Sequence, residues 1–247
     1  MELRDRIAMV TGAANGIGRA TALLMAQEGA RLALADLQLD ALADVASACE
    51  AEGAEVIVMG LDQRESASVD AAVAQAWDHF GRVDVLANIA GIYPLAPLEA
   101  TGDDLWANVL GVNLTGTFYC CRAMIPRMVA QGAGVVLNTS SGSAFKALGG
   151  SAAYAASKAG IVGLSRVLAA EAAPSVRVNV VSPGPIMVRT LSDAEAANAP
   201  TGEDLGVVLG RWGTPREVAE MFVFLASDRA EWVTGQVFHV NGGRFMS

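Results

Sequence analysis

The feature that most restricts this chain is a short apolar strand running straight into a glycine-rich turn and a helix. Residues 6–11 carry the run IAMV, and TGAANGIGRATALLMAQEGA follows at once. Strand, glycine turn and helix in that order open a βαβ unit, the building block of a parallel sheet. The glycines are Gly12, Gly16 and Gly18, with Asn15 and Ile17 between them. They let the turn tighten and let the backbone approach a pyrophosphate, whose charge is met by the N–H groups and dipole at the helix start.

The alternation continues along the chain. RLALADL ends in Asp36, twenty positions after Gly16 and followed by Leu37, where an acid that accepts from a ribose is expected. A helix near 38–52 leads to the strand AEVIVMG and then to Asp62, placed either to accept from an adenine amino group or to cap the next helix. Helix 64–81 precedes VDVLANIAG, whose end carries Asn88, Ala90 and Gly91. Small residues there let the backbone lie against a ligand, and Asn88 is placed to pair with neighbouring backbone. A helical region over 103–131 holds Asn113 in its interior, where asparagine is mildly unfavourable and needs a reason such as a kink or a buried hydrogen bond. The strand VRVNVVS ends in Pro183, Gly184 and Pro185, and an irregular, acidic stretch over 186–210 reads as a lid. A helix over 215–227 and the strand GQVFHVNGG complete an α/β pattern, read as one domain over 1–247.

SAAYAASKAG, residues 151–160, sets the phenol of Tyr154 and the ammonium of Lys158 four positions apart, on one face of a helix. A fixed ammonium favours the phenolate and brings a poor base towards the working range. Ser141, at the end of GVVLNTSS, supplies a hydroxyl at the sheet's edge to hold a substrate oxygen.

The balance of 26 acidic against 17 basic residues, a net charge of −9, argues against nucleic acid and anionic membranes as partners. The stretch 1–6 mixes charges of both signs and has no apolar signal core, and the longest uncharged runs are interrupted by polar residues, so a cytoplasmic location is expected. Cys49, Cys120 and Cys121 lack zinc-like spacing, and neither a metal nor a disulfide is expected.

With TGAANGIG, Asp36, NIAG, Asn113, Ser141, YAASK and the turn at Pro183 in order, the chain resembles the short-chain dehydrogenase/reductase family over essentially its whole length. The resemblance implies a Rossmann-type, doubly wound sheet of seven parallel strands with helices on both faces. It also implies roles: Tyr154 as acid/base, Lys158 holding the nicotinamide ribose and lowering the Tyr154 pKa, Asn113 fixing a water that links Lys158 to solvent, and Ser141 orienting the substrate oxygen. Where the family often has a threonine after the proline-glycine turn, this chain has Val188, with Thr190 two positions on; the backbone of Ile186 remains for the carboxamide.

The expected function is oxidoreduction between a secondary alcohol and a ketone, with NAD as cofactor because Asp36 would repel a 2′-phosphate. A 3-oxoacyl-carrier-protein reductase and a non-catalytic dinucleotide-binding protein are the alternatives. Tyr93, Ser143, Phe145, Met187 and Leu191 are candidate substrate contacts. Apolar contacts beside an acidic lid point to uncharged substrates, with Arg189 and Arg211 as cations that could instead anchor a carboxylate. Helices apolar on nearly every face point to a homo-oligomer, which the resemblance makes a homotetramer.

Overall fold

Alternate residues of the first strand, β1 (Ile7–Thr11), enter two separate cores: Ala8 and Val10 one, Ile7 and Met9 the other. In β2 (Arg31–Asp36), Leu32 and Leu34 join the first and Ala33 and Ala35 the second. Side chains alternate across a strand, so burial on both faces requires apolar residues at every position. That is the physical origin of the unbroken run IAMV.

A computed structural model describes residues 1–146, 148–188, 192 and 199–246. The remaining strands are β3 (Val56–Gly60), β4 (Val85–Asn88), β5 (Gly134–Thr139), β6 (Val176–Pro183) and β7 (Val237–Val240). They form a seven-stranded sheet in the order β3-β2-β1-β4-β5-β6-β7, with every neighbouring pair parallel. Helices α1 (Gly16–Gln27), α2 (Leu39–Ala51) and α7 (Pro215–Ala226) cover one face, contributing Met25, Leu42 and Phe222 to its core. Helix α3 (Ser66–Phe80), with Val69 and Val73, packs on the other.

The helical region over 103–131 is two helices, α4 (Asp103–Leu110) and α5 (Gly116–Gln131), joined by a π-helical turn over Gly111–Thr115. The wider turn carries the fully buried Asn113. Helix α6 (Ala152–Ala172) bears Tyr154 and Lys158. In the stretch read as a lid, Ile186 pairs with Gly213, and Leu209 N donates to the Gly242 carbonyl at 3.0 Å. Among the described residues no helix is long and apolar enough to cross a membrane.

Candidate active site

The strand order reverses between β1 and β4, and in open α/β sheets the crevice at such a switch point, beyond the carboxyl ends of the strands, receives ligands. Here it is a cleft of about 900 Å³. The Thr11 hydroxyl accepts from the backbone N–H groups of Ile89 (3.1 Å) and Ala90 (3.3 Å), drawing the end of β4 against the glycine turn. A side chain at Gly12 would place its Cβ 2.6 Å from Ala90 Cα, and one at Gly18 would sit 1.9 Å from the Gly12 carbonyl oxygen. Glycine is therefore a steric requirement at both. Asn15, Gly16, Ile17, Ala90 and Gly91 line the same cleft, as do Pro183, Gly184 and Ile186.

Asp36 closes β2 beside the turn. Its Oδ2 accepts from Ala14 N at 3.1 Å and its Oδ1 from Gln38 N at 3.0 Å, which fixes the carboxylate and leaves each oxygen a further lone pair. Leu37 is exposed beside it, while Arg19 is not on the cleft wall and exerts its charge on Cys49. The Asp62 carboxylate is held by the Arg64 guanidinium, with NH2 at 2.6 Å, and accepts Arg64 N at 3.0 Å. Those bonds hold its pKa below the usual carboxylate value. Both residues line the cleft.

At the other end, Ser141, Tyr154 and Lys158 converge on the cleft from β5 and α6. The rings of Tyr93 and Tyr154 pack edge to face at 4.4 Å between centroids. The Lys158 ammonium donates to the Thr139 carbonyl at 2.8 Å and lies 5.7 Å from the Tyr154 ring centroid. Burial lowers the Lys158 pKa to about 8. The expected lowering of the Tyr154 pKa does not occur in this arrangement. Burial raises the phenol above its ordinary value, the Ser141 hydroxyl opposes that shift, and Tyr93 adds to it. The Lys158 ammonium, committed to the Thr139 carbonyl, is not among the groups that shift the phenol.

Both donors of the Asn113 carboxamide are used, and its oxygen accepts one bond and keeps a further lone pair. Its Oδ1 accepts from Ile92 N (2.9 Å), and its Nδ2 donates to the Ile92 carbonyl (3.0 Å) and the Ser157 hydroxyl (3.1 Å). A Cβ built on Gly91 would lie 3.1 Å from Asn113 Oδ1 and 3.4 Å from Lys158 Nζ, so the asparagine flanks the ammonium.

Four of the candidate site residues, Asn88, Asn113, Phe145 and Met187, are not on the cleft wall. Asn88 lies in the sheet interior, its Nδ2 donating to Asn138 Oδ1 at 2.8 Å, because a residue still within β4 faces the core and not the crevice. Phe145 stacks on Phe245 and meets His239 edge-on. Met187 is taken up by the pairing with Gly213 through its backbone, and its neighbour Val188 lines the cleft against Gly16. Tyr93 and Ser143 do line it; Leu191, Thr190 and Arg189 lie outside the described residues.

Sequence reasoning missed Gln63, buried, whose Nε2 donates to the carbonyls of Ala90 (3.3 Å) and Val112 (2.5 Å) and so ties β4 to the π turn. A glutamine directly after Asp62 was the available signal. Leu205, Trp212 and Arg244 also reach the cleft; nothing in local pattern announces residues that arrive from so far along the chain.

The family model described as Enoyl-(Acyl carrier protein) reductase matches residues 12–244. The chain is 40% identical over 244 residues to D-threitol dehydrogenase of Mycolicibacterium smegmatis, covering 98% of this chain and 93% of that one. It is 37% identical over 247 residues to the 3-oxoacyl-(acyl-carrier-protein) reductase of Thermotoga maritima, covering 98% and 99%. The solved structure of levodione reductase superposes with a TM-score of 0.90 at 32% identity, covering 98% of each chain. A glycine-turn cleft at the switch point of a parallel sheet, with Ser, Tyr and Lys at its far end, agrees with these likenesses, and the chain belongs to the short-chain dehydrogenase/reductase family, as an oxidoreductase of CH–OH groups using a nicotinamide dinucleotide.

Proposed function

We propose that this enzyme interconverts a secondary alcohol and a ketone with NAD as its dinucleotide and Tyr154 as the proton-transferring group. The observation that carries the reading is the convergence of Ser141, Tyr154 and Lys158 on one end of the cleft whose other end is the glycine turn and Asp36. The turn fits a pyrophosphate because Gly12 and Gly18 leave only backbone at its surface. Asp36 would hold the adenosine ribose, Lys158 the nicotinamide ribose, and the backbone around Gly184 and Ile186 the carboxamide. When bound, the nicotinamide supplies the hydride acceptor or donor.

Ser141 orients the substrate oxygen toward Tyr154. In oxidation, the Tyr154 phenolate oxygen takes the hydroxyl proton; in reduction, the neutral phenol gives it back. A phenol held above its ordinary pKa is a ready donor at neutral pH and a base only on the alkaline side. In reduction near neutrality Lys158, cationic below about pH 8, stabilises the negative charge that develops on the phenol oxygen as its proton leaves. Asn113 would fix a water that links Lys158 to solvent, and its own amide bonds keep the Ile92 backbone in place.

Preference for NAD rests on Asp36 and on the absence of a cation beside it among the described residues lining that end of the cleft, Arg64 being bound to Asp62. The stretch 186–210 acts as the lid of a single catalytic domain. Exposed Trp106, Phe118 and Val167, on α4, α5 and α6, supply apolar surface for a homotetramer. The test is a panel of secondary alcohols and ketones followed at the nicotinamide absorbance band with both dinucleotides. Turnover of neither class, with either dinucleotide, would reject the reading.

A further inference from the structure

The chain beyond β7 brings to the cleft a cation that the chemistry above leaves unused. Gly242 and Gly243 adopt φ of 61° and 80°, the left-handed region that turns the backbone sharply. Asn241 locks the turn, its Nδ2 donating to the Phe245 carbonyl and its Oδ1 accepting from Gly243 N, both at 2.9 Å. Phe245 is clamped between Phe145 and His239, and Lys146 Nζ donates to the Arg244 carbonyl at 3.3 Å. Arg244 is thus presented from a braced turn, half-buried in the cleft wall.

Its guanidinium is only partly used. Nε donates to the Leu205 carbonyl at 3.0 Å, and the two terminal nitrogens meet no acceptor among the described residues. The other cations on the cleft wall are committed, Arg64 to Asp62 and Lys158 to the Thr139 carbonyl. The carboxylates on the described wall are Asp36, at the end of β2, and Asp62, beyond β3, so Arg244 has no counter-charge of its own there. It also lies near the reacting end: its charge acts on the Tyr93 phenol, against the upward effect of burial, and Tyr93 packs on Tyr154. Arg211, by contrast, is bound to Glu217.

We infer that Arg244 binds a carboxylate carried by the substrate, so that the enzyme acts on secondary alcohols or ketones with an anionic group remote from the reacting carbon. The inference rests on the proposed chemistry at Tyr154. A planar guanidinium with its terminal N–H edge open matches a carboxylate through two parallel hydrogen bonds. A neutral ligand offers those donors no charge-assisted, paired hydrogen bonds.

The probes are secondary alcohols with one, two or three methylenes between carbinol and carboxylate, each compared with its methyl ester. The expected result is a wild-type kcat/KM on the best acid well above that on its ester. In Arg244→Gln that acid-to-ester ratio falls by about 30- to 100-fold, mainly through KM. Arg244→Lys restores part of it, and Arg216→Gln, on an exposed helix pair, leaves the ratio at the wild-type value. Calorimetric binding of the acids to the dinucleotide complex of Tyr154→Phe, with and without Arg244→Gln, reads recognition without turnover. Acid binding that is lost with Arg244, but no turnover of any pair by the wild type, would reject the chemistry at Tyr154 and keep the inference. Turnover with a ratio near one, or a ratio unmoved by both Arg244 variants, would overturn the inference and keep the chemistry.

Discussion

Lys158 has conflicting demands: its charge serves the phenol, and its burial disfavours that charge. Burial lowers its pKa from 10.5 to about 8, so the native state binds this proton less tightly than the unfolded chain. Between about pH 8 and 10.5 the unfolded state keeps the proton that the native state has released, and stability from this group rises with pH; below 8 the penalty is present in full. The whole difference is about 3 kcal/mol. Thermal unfolding of wild type and Lys158→Met at pH 7 and pH 9.5 is expected to show the stability difference moving in favour of wild type at the higher pH. A difference independent of pH would mean that Lys158 titrates normally. The raised phenol predicts a matching asymmetry in rate: alcohol oxidation climbs into the alkaline range, while ketone reduction is favoured nearer neutrality, as paired pH–rate profiles would record. That Tyr154 and Lys158 share one face of a helix, and that Ser141 stands just past the end of a strand, was legible from spacing and from the apolar run before Ser141; their roles came from the family resemblance. The direction of the Tyr154 shift was not, because desolvation depends on what covers the ring, and Tyr93 comes from a different segment.

The end of β2 and the glycine turn form one recognition element, joined by the Ala14 N–H donated to Asp36. A unit charge facing another at ~4 Å and an effective dielectric of ~20 is repelled by ~4 kcal/mol; with solvent halving that, discrimination against a 2′-phosphate is roughly 30-fold. Replacing Asp36 by Ala and Leu37 by Arg is expected to shift the ratio of catalytic efficiencies towards NADP by at least that factor, and an unmoved ratio would show that another element decides. Gly18→Ala is expected to abolish dinucleotide binding in a fluorescence titration, since its Cβ would overlap the Gly12 carbonyl. Strands and most helices of this unit were readable because a sheet covered on both faces writes apolar runs and its turns write glycines. The π turn at Gly111–Thr115 was not: one extra residue in a helix leaves no periodic trace, and only the misplaced polarity of Asn113 hinted at it.

At the scale of the whole molecule, exposed apolar residues on α4, α5 and α6 predict an assembly, and light scattering is expected to report a tetramer; a stable, active monomer would contradict that. The parallel sheet followed from the βαβ alternation, and its doubly wound, seven-stranded form from the family resemblance. Of the wall at the substrate end only Tyr93 and Ser143 were anticipated, since Leu205, Trp212 and Arg244 arrive there from far along the chain. The central claim is that proton transfer runs through one phenol while dinucleotide binding does not. Its most direct test is single-turnover formation of the reduced nicotinamide, at saturating substrate, by wild type and Tyr154→Phe, alongside a dinucleotide titration of both. The account predicts a rate lower by ~10² to 10⁴-fold in the variant with dinucleotide affinity nearly unchanged; a variant rate close to wild type would contradict it.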